Sequence, residues 1–143
     1  MKKVLGLDLG TTTLGIAISD SLGIGAHPVE TFRFDAGQYK KAIDRVLFLL
    51  EIENTNDIAL GMPLYASGDI SPHAENCLKF KDELLKAKPG LHIEMIDESY
   101  STIEADERLK EVSNLSYEKR KKIIDEMAAV IILERYFQKF GGK

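Results

Sequence analysis

The sequence predicts an α/β fold: a mixed five-stranded sheet, built from an antiparallel hairpin plus parallel strands and flanked by helices. Three observations carry this. Short apolar runs of strand length recur along the chain. From residue 38 onward they alternate with longer stretches whose apolar residues repeat every three or four positions, the period of a helix with one buried face. The first two apolar runs are separated by a short turn, too short for a crossover, so they pair antiparallel. Later strands are reached through helices, which places them parallel.

Taken in order, residues 3–9 read as the first strand, with Asp8 inside an otherwise apolar run. Thr11, Thr12 and Thr13 form the turn, and residues 14–19 return as the second strand. After a loop over 20–26, residues 28–34 give a third strand, with Pro28 at its start where a missing N–H is tolerated. Residues 38–51 form a helix on the stripe Ile43, Val46, Leu47 and Leu50. A short buried strand over 57–61 runs into Gly61-Met62-Pro63-Leu64. Residues 71–87 form a second helix, with Ser71 as N-cap, Pro72 in the first turn and Leu78, Leu84 and Leu85 as its apolar stripe. Pro89-Gly90 ends it, and residues 91–96 form a strand that stops at Asp97-Glu98. A helix over 101–112 follows, with Thr102, Ala105 and Leu109 on one side. Ser116 then caps a long helix over 117–140. No linker or repeat interrupts this order, so residues 1–143 are expected to form a single domain.

Composition narrows the function classes. The net charge of −4 speaks against a broad electrostatic grip on nucleic acid, although bound divalent ions offset carboxylates where a phosphate sits. Cys77 is the only cysteine, so a disulfide framework within the chain is impossible and a reducing compartment fits. The opening Met-Lys-Lys and its short apolar run are not a secretory signal, and no segment approaches a membrane span. A cytoplasmic location and no membrane partner are the expectations. His27, His73 and His92 are scattered without ligand spacing, which disfavours zinc, and Cys77 reads as a packed thiol.

The chemistry starts from Asp8. A charge in a buried strand costs several kcal/mol unless it is paired, protonated or bound to a cation. In parallel sheets ligands bind beyond the carboxyl ends of the strands. The strand over 91–96 also ends there in acids. Alternation puts Ile96 and Glu98 on one face and Asp97 on the other, and spacing alone does not choose between the two. In the last helix, Asp125 has Ala128 and Ala129 on its side, small residues that let a helix lie close to a sheet. An ordinary surface pairing of Asp125 with Lys121 or Lys122 is the simpler account of the helix pattern. Glu126, roughly 100° further round, is expected to face solvent. Three carboxylates from separate elements suit hard cations such as Mg²⁺ or Mn²⁺. The 119–122 basic cluster could steer a phosphate strand, and the turn from Gly10 through Thr11 and Thr12 offers N–H groups and hydroxyls.

Five stretches together carry a family resemblance: Leu5-Gly6-Leu7-Asp8-Leu9-Gly10-Thr11, Gly15-Ile16-Ala17-Ile18-Ser19-Asp20, Gly61-Met62-Pro63-Leu64 with Gly68, Asp97-Glu98-Ser99-Tyr100-Ser101-Thr102, and Ile124-Asp125-Glu126-Met127-Ala128-Ala129. In this order and spacing the chain resembles the YqgF/RuvX family. The resemblance implies an RNase H-like fold. It also implies a nuclease, described in that family either as a Holliday junction resolvase or as the enzyme that matures the 5′ end of pre-16S ribosomal RNA. It places the acidic triad on Asp8, Glu98 and Asp125, choosing Glu98 over Asp97, as catalytic residues and ligands of two Mg²⁺ or Mn²⁺ ions. Gly10, Thr11, Thr12, Lys121 and Lys122 are the candidate substrate contacts.

Two departures stand out: Thr12 and Thr13 occupy positions where the family usually carries basic residues, and Ser99 stands where an Arg is usual. A guanidinium there binds phosphate in a way that a hydroxyl does not. The leading expectation is a metal-dependent endonuclease acting on structured RNA, with pre-rRNA as partner. The rivals are a resolvase of branched DNA, which requires a homodimer rather than a monomer, and an RNA-binding module without cleavage. The opening Asp-Leu-Gly-Thr-Thr also resembles the first phosphate loop of actin, sugar-kinase and heat-shock-chaperone ATPases. Those enclose ATP between two such domains, and this chain supplies one.

Overall fold

In the computed structural model, which describes residues 3–63 and 70–141, the chain runs β1 (Leu5–Leu9), β2 (Thr13–Ser19), β3 (Ala26–Arg33), α1 (Tyr39–Glu53), β4 (Asp57–Met62), α2 (Pro72–Ala87), β5 (His92–Asp97), α3 (Ser101–Val112) and α4 (Tyr117–Phe140). Leu64 and Gly68, part of the sequence resemblance, lie outside the described residues. The strands form one mixed sheet in the order β3-β2-β1-β4-β5. β1 pairs antiparallel with β2, and β2 with β3, while β1–β4 and β4–β5 are parallel.

Alternation along β1 decides which helix meets which face. Leu5, Leu7 and Leu9 join Leu14, Ile16, Ile58 and Leu60 in one core beneath α1 and α2, with Val46, Leu50, Phe80 and Leu84 supplied by those helices. Val4, Ala17, Ala59 and Ile96 face the other way and pack on Ala129, Val130, Ile132 and Leu133 of α4. Ala105 of α3 covers the outer side of α4 through Ala128 and Ile131. Asp8 therefore belongs to the α4 face.

Several sequence expectations are revised. Pro28 lies inside β3 rather than at its start, opposite Ala17 and next to a register shift between Ile16 and Ala17. β3 is an edge strand, where a bulge and a missing N–H are tolerated. The buried stripe of α2 runs Ala74, Cys77, Phe80 and Leu84, with Leu78 only half-buried. In α3 the buried positions are Ser101, Ala105 and Leu109, and Thr102 is exposed. The expected N-caps hold: Ser71 Oγ accepts from Ala74 N at 3.0 Å, and Ser116 Oγ accepts from Lys119 N at 3.3 Å.

Candidate active site

Asp8 sits at the carboxyl end of β1 between two glycines. Its cross-strand partner in β2 is Gly15. On its other side, Gly61 follows Leu60, the β4 partner of Leu7. A Cβ on Gly15 would overlap the backbone carbonyl of Asp125, so the absent side chain lets α4 lie directly on β2 at that residue. A Cβ on Gly61 would come within 3.0 Å of Glu98 Oε2 and 2.5 Å of Ile132 Cδ1. The two glycines thus clear the space through which Asp125 and Glu98 approach Asp8 from opposite sides. Gly6 likewise admits α4 about two turns further along, where a Cβ would lie 2.5 Å from Leu133 Cγ.

The result is a cavity of about 830 Å³ at the strand ends, lined by Asp8, Gly10, His73, Glu98 and Asp125 and rimmed by residues 99–103. A protonated Asp8 can donate a side-chain hydrogen bond to Glu98. Burial comes first, followed by that hydrogen bond and the charges of Glu98 and Asp125, in holding the Asp8 carboxyl well above the usual carboxylate range. Only His73 acts in the opposite sense. No lysine or arginine is among the described residues lining the cavity. These oxygen donors line one cavity and are the donor type that a hard divalent cation takes, although as the side chains stand only His73, Cys77 and Glu98 among the described residues bring ligand atoms within 4.8 Å of one another. Asp8, Glu98 and Asp125 are the residues that would hold it.

The other predicted contacts separate. Gly10 lines the cavity, but its N–H is taken by Thr13 O at 2.7 Å within the hairpin turn. Thr11 and Thr12 are exposed and line no cavity described for the protein. Lys121 and Lys122 are exposed and line a neighbouring shallow cavity together with Thr13, Arg33 and Asp125. Asp125 is thus shared between the two cavities, and among the described residues it forms no ion pair with either lysine. Arg120 leaves the basic cluster altogether: its Nε donates to Asp106 Oδ1 at 2.9 Å, tying α4 to α3. Glu126, expected in solvent, is half-buried and accepts from Thr31 Oγ1 at 3.5 Å, because α4 lies over β3 there. Burial raises its carboxyl above the ordinary value.

Three features escaped the sequence. His73 Nε2 lies 3.1 Å from Glu98 Oε1, and Cys77 Sγ lies 3.9 Å from His73 Nε2. These three side chains are close enough to hold one ion, which corrects the expectation that His73 has no ligand partners. The signal was present in the spacing, since residues four apart share a helix face. Tyr100 stands at the cavity rim, 78% exposed and with a left-handed φ of 63°. Arg135 of α4 donates through Nη1 to the carbonyls of Asp97 and Ser99, at 2.9 and 3.0 Å, so a guanidinium fixes the loop backbone beside Ser99. Ser99 itself is turned back, donating through Oγ to Asp97 Oδ1 at 2.7 Å.

With this geometry in view, the comparisons with known proteins are specific. The family model described as "RuvX: Holliday junction resolvase" matches residues 2–139. A "Putative pre-16S rRNA nuclease" of Staphylococcus saprophyticus is 39% identical over 134 residues, covering 94% of each chain. Its counterpart in Staphylococcus carnosus is 37% identical over the same share. Among solved structures, Thermus thermophilus RuvC in complex with a Holliday junction substrate superposes with a TM-score of 0.61 at 15% identity, covering 98% of this chain and 97% of that one. The fowlpox virus resolvase bound to junction DNA gives 0.55 at 13% identity, covering 96% of this chain and 98% of that one. At such identities the structural matches speak for the fold, which is RNase H-like. The family model and the two staphylococcal relatives span nearly the whole chain, and on that ground the chain belongs to the RuvX (YqgF) family of nucleases.

Proposed function

We propose that this protein is a divalent-metal-dependent endonuclease that hydrolyses phosphodiester bonds of structured RNA and trims the 5′ end of pre-16S ribosomal RNA in the cytoplasm. The observation that supports the reading is that Asp8, Glu98 and Asp125 line a single cavity with no lysine or arginine among its described lining. The printed names of the staphylococcal relatives favour the RNA substrate. No helix of the described chain is long and apolar enough to cross a membrane.

Two Mg²⁺ or Mn²⁺ ions, when bound, would supply an activated water and offset the charge developing on the leaving 3′ oxygen. The residues divide the remaining work. Asp8, fixed in the sheet between Gly15 and Gly61, gives the set its rigid origin. Glu98 is held by its hydrogen bond with His73. Asp125 arrives on α4 and links the cavity to the exposed Lys121, Lys122 and Arg33, which attract the phosphate strand. Tyr100 offers an exposed aromatic face beside the reacting phosphate.

The test is cleavage of a pre-16S rRNA fragment with Mn²⁺ or Mg²⁺. Wild-type protein should cleave and Asp8→Asn should not, with folding retained by circular dichroism. Cleavage that survives in Asp8→Asn would overturn the assigned chemistry. The second reading, resolution of branched DNA, draws on the family description and on the resolvase structures. It requires two copies acting on symmetric strands. Sedimentation with a four-way junction separates the two: a monomer that stays monomeric on the junction removes the resolvase reading.

A further inference from the structure

We propose that His73, Cys77 and Glu98 form a separate zinc-class site at the wall of the cavity, overlapping the hard-cation set through Glu98 alone. The three ligand atoms lie within 4.8 Å of one another. His73 and Cys77 come from one face of the first two turns of α2, and Glu98 comes from the end of β5. A tetrahedral ion with bonds of about 2.0 Å to nitrogen and oxygen and about 2.3 Å to sulfur separates N from S by about 3.5 Å and N from O by about 3.3 Å. The observed N–S and N–O separations are 3.9 and 3.1 Å, and the third, S to O, is no more than 4.8 Å, so closure requires the thiol and the carboxylate to draw together by at most about 1.3 Å.

The donor types decide the class of ion. Mg²⁺ and Mn²⁺ take oxygen ligands, whereas a thiolate and an imidazole select zinc and its borderline-soft neighbours. Asp8 and Asp125 offer only oxygen, and His73 and Cys77 only nitrogen and sulfur. One cavity therefore holds two donor sets of different hardness with a single carboxylate in common. His73 and Glu98 line the cavity, and among the described residues no fourth ligand completes the set, so water or a phosphate oxygen can take that position.

Cys77 is fully buried, and burial with the nearby charges of Glu98 and Asp8 pushes its thiol up to about 12. Without an ion it is thus a neutral thiol. Binding is written as Cys77–SH plus M²⁺ giving Cys77–S–M⁺ plus H⁺, with the proton passing to solvent and no change of oxidation state. An ion held this way would draw Glu98 away from Asp8. This consequence rests on the function proposed above: zinc would inhibit Mn²⁺-dependent cleavage.

The experiment uses Co²⁺ as the probe on the chelator-treated full chain, without substrate. Because Cys77 is the only cysteine, a thiolate-to-cobalt charge-transfer band can arise from no other residue. The expected result is that band in the near ultraviolet with tetrahedral d–d absorption, both removed by one equivalent of Zn²⁺. Cys77→Ser should lose the charge-transfer band, and Asp8→Asn should keep it. His73→Ala, a change at a half-exposed position that does not depend on core packing, should weaken Zn²⁺ binding by at least about 100-fold, beyond what loss of an outer partner costs. No charge-transfer band in the wild type, or unaltered Zn²⁺ affinity in His73→Ala, overturns the site. Since the band is read without nucleic acid, the zinc site and the nuclease reading fail independently: cobalt binding without any cleavage sinks only the latter.

Discussion

The two faces of the sheet solve opposite problems. Toward α1 and α2 the strands present Leu5, Leu7, Leu9, Leu14, Ile16, Ile58 and Leu60, all fully buried. Toward α4 they present Gly6, Gly15, Ala17, Ala59 and Gly61, with Asp8 in their midst. The first face gains stability from interdigitating branched side chains. The second gives up side-chain volume so that α4 can touch strand backbone and deliver Asp125. The comparison teaches that the site is made by what the strands omit: two glycines flanking Asp8 admit the other two acids.

The largest expected effect breaks the second face alone. Asp8→Asn should reduce metal-dependent cleavage by about 10³-fold or more, the upper end of the loss when one preorganised group is removed. It should also make the protein more stable at neutral pH. The sign follows from Asp8's raised folded value. The folded state holds the proton more tightly than the unfolded one, so stability falls as pH rises from the unfolded value toward the folded one. Above that window the cost of the buried charge is fully present. Asparagine removes it, and a gain of about 0.5–2 kcal/mol at pH 7 is expected in denaturant unfolding of the metal-free protein. The gain should vanish near pH 3, where both states are protonated. A destabilised Asp8→Asn at pH 7 would contradict the electrostatic account of this face.

Leu5→Ala breaks the first face instead. Leu5 is fully buried at the end of β1 away from Asp8. The loss should be about 2–5 kcal/mol, read from chemical denaturation. Cleavage per folded molecule, assayed well below the melting transition, should be unchanged. An activity loss beyond the unfolded fraction would mean that the faces are not separable.

This division also explains what the sequence could and could not disclose. Strict alternation in β1 exposes the leucine face directly, and the same period places Glu98 with Ile96 on the α4 side, without excluding Asp97. The termini of α3 and α4 follow from Ser116 and from the breaks before them. The environment of Glu126 was not legible, because residues 128–133 of α4 are all buried. A helix covered by the sheet on one side and α3 on the other has no single apolar stripe from which to read direction. Pro28 misled because its tolerance comes from an edge and a bulge, both tertiary facts. The pairing of His73 with Cys77 was legible in their spacing of four, but Glu98 as the third partner was not, because it lies 25 residues from His73 on another element.

Gly15→Ala tests whether the omission itself matters. The new methyl would meet the Asp125 backbone, which cannot rotate aside as a side chain does. α4 must lift at Asp125, and a displacement of about 1 Å costs about 10²-fold in a positioned reaction. Cleavage should therefore fall by about that factor while Asp8 and Glu98 remain in place. Metal affinity measured calorimetrically should weaken in parallel. Full activity would mean that Asp125 is not needed near Asp8, and the triad would shrink to two acids.

The smallest effect lies where the two faces meet. α2 packs on the leucine face, yet its first turn reaches round the strand ends and sets His73 against Glu98. Ser71 caps that turn by accepting from Ala74 N. Ser71→Ala should cost about 1 kcal/mol of stability through the lost cap. Its second consequence is local: a frayed first turn loosens His73 and leaves the lower turns, with Phe80 and Leu84, in the core. Cleavage should therefore decline modestly, and zinc affinity should decline more, because zinc needs His73 as a ligand whereas the acid triad needs it only to orient Glu98. Equal declines would place His73 in both sets, and a decline in cleavage alone would take His73 away from the zinc site.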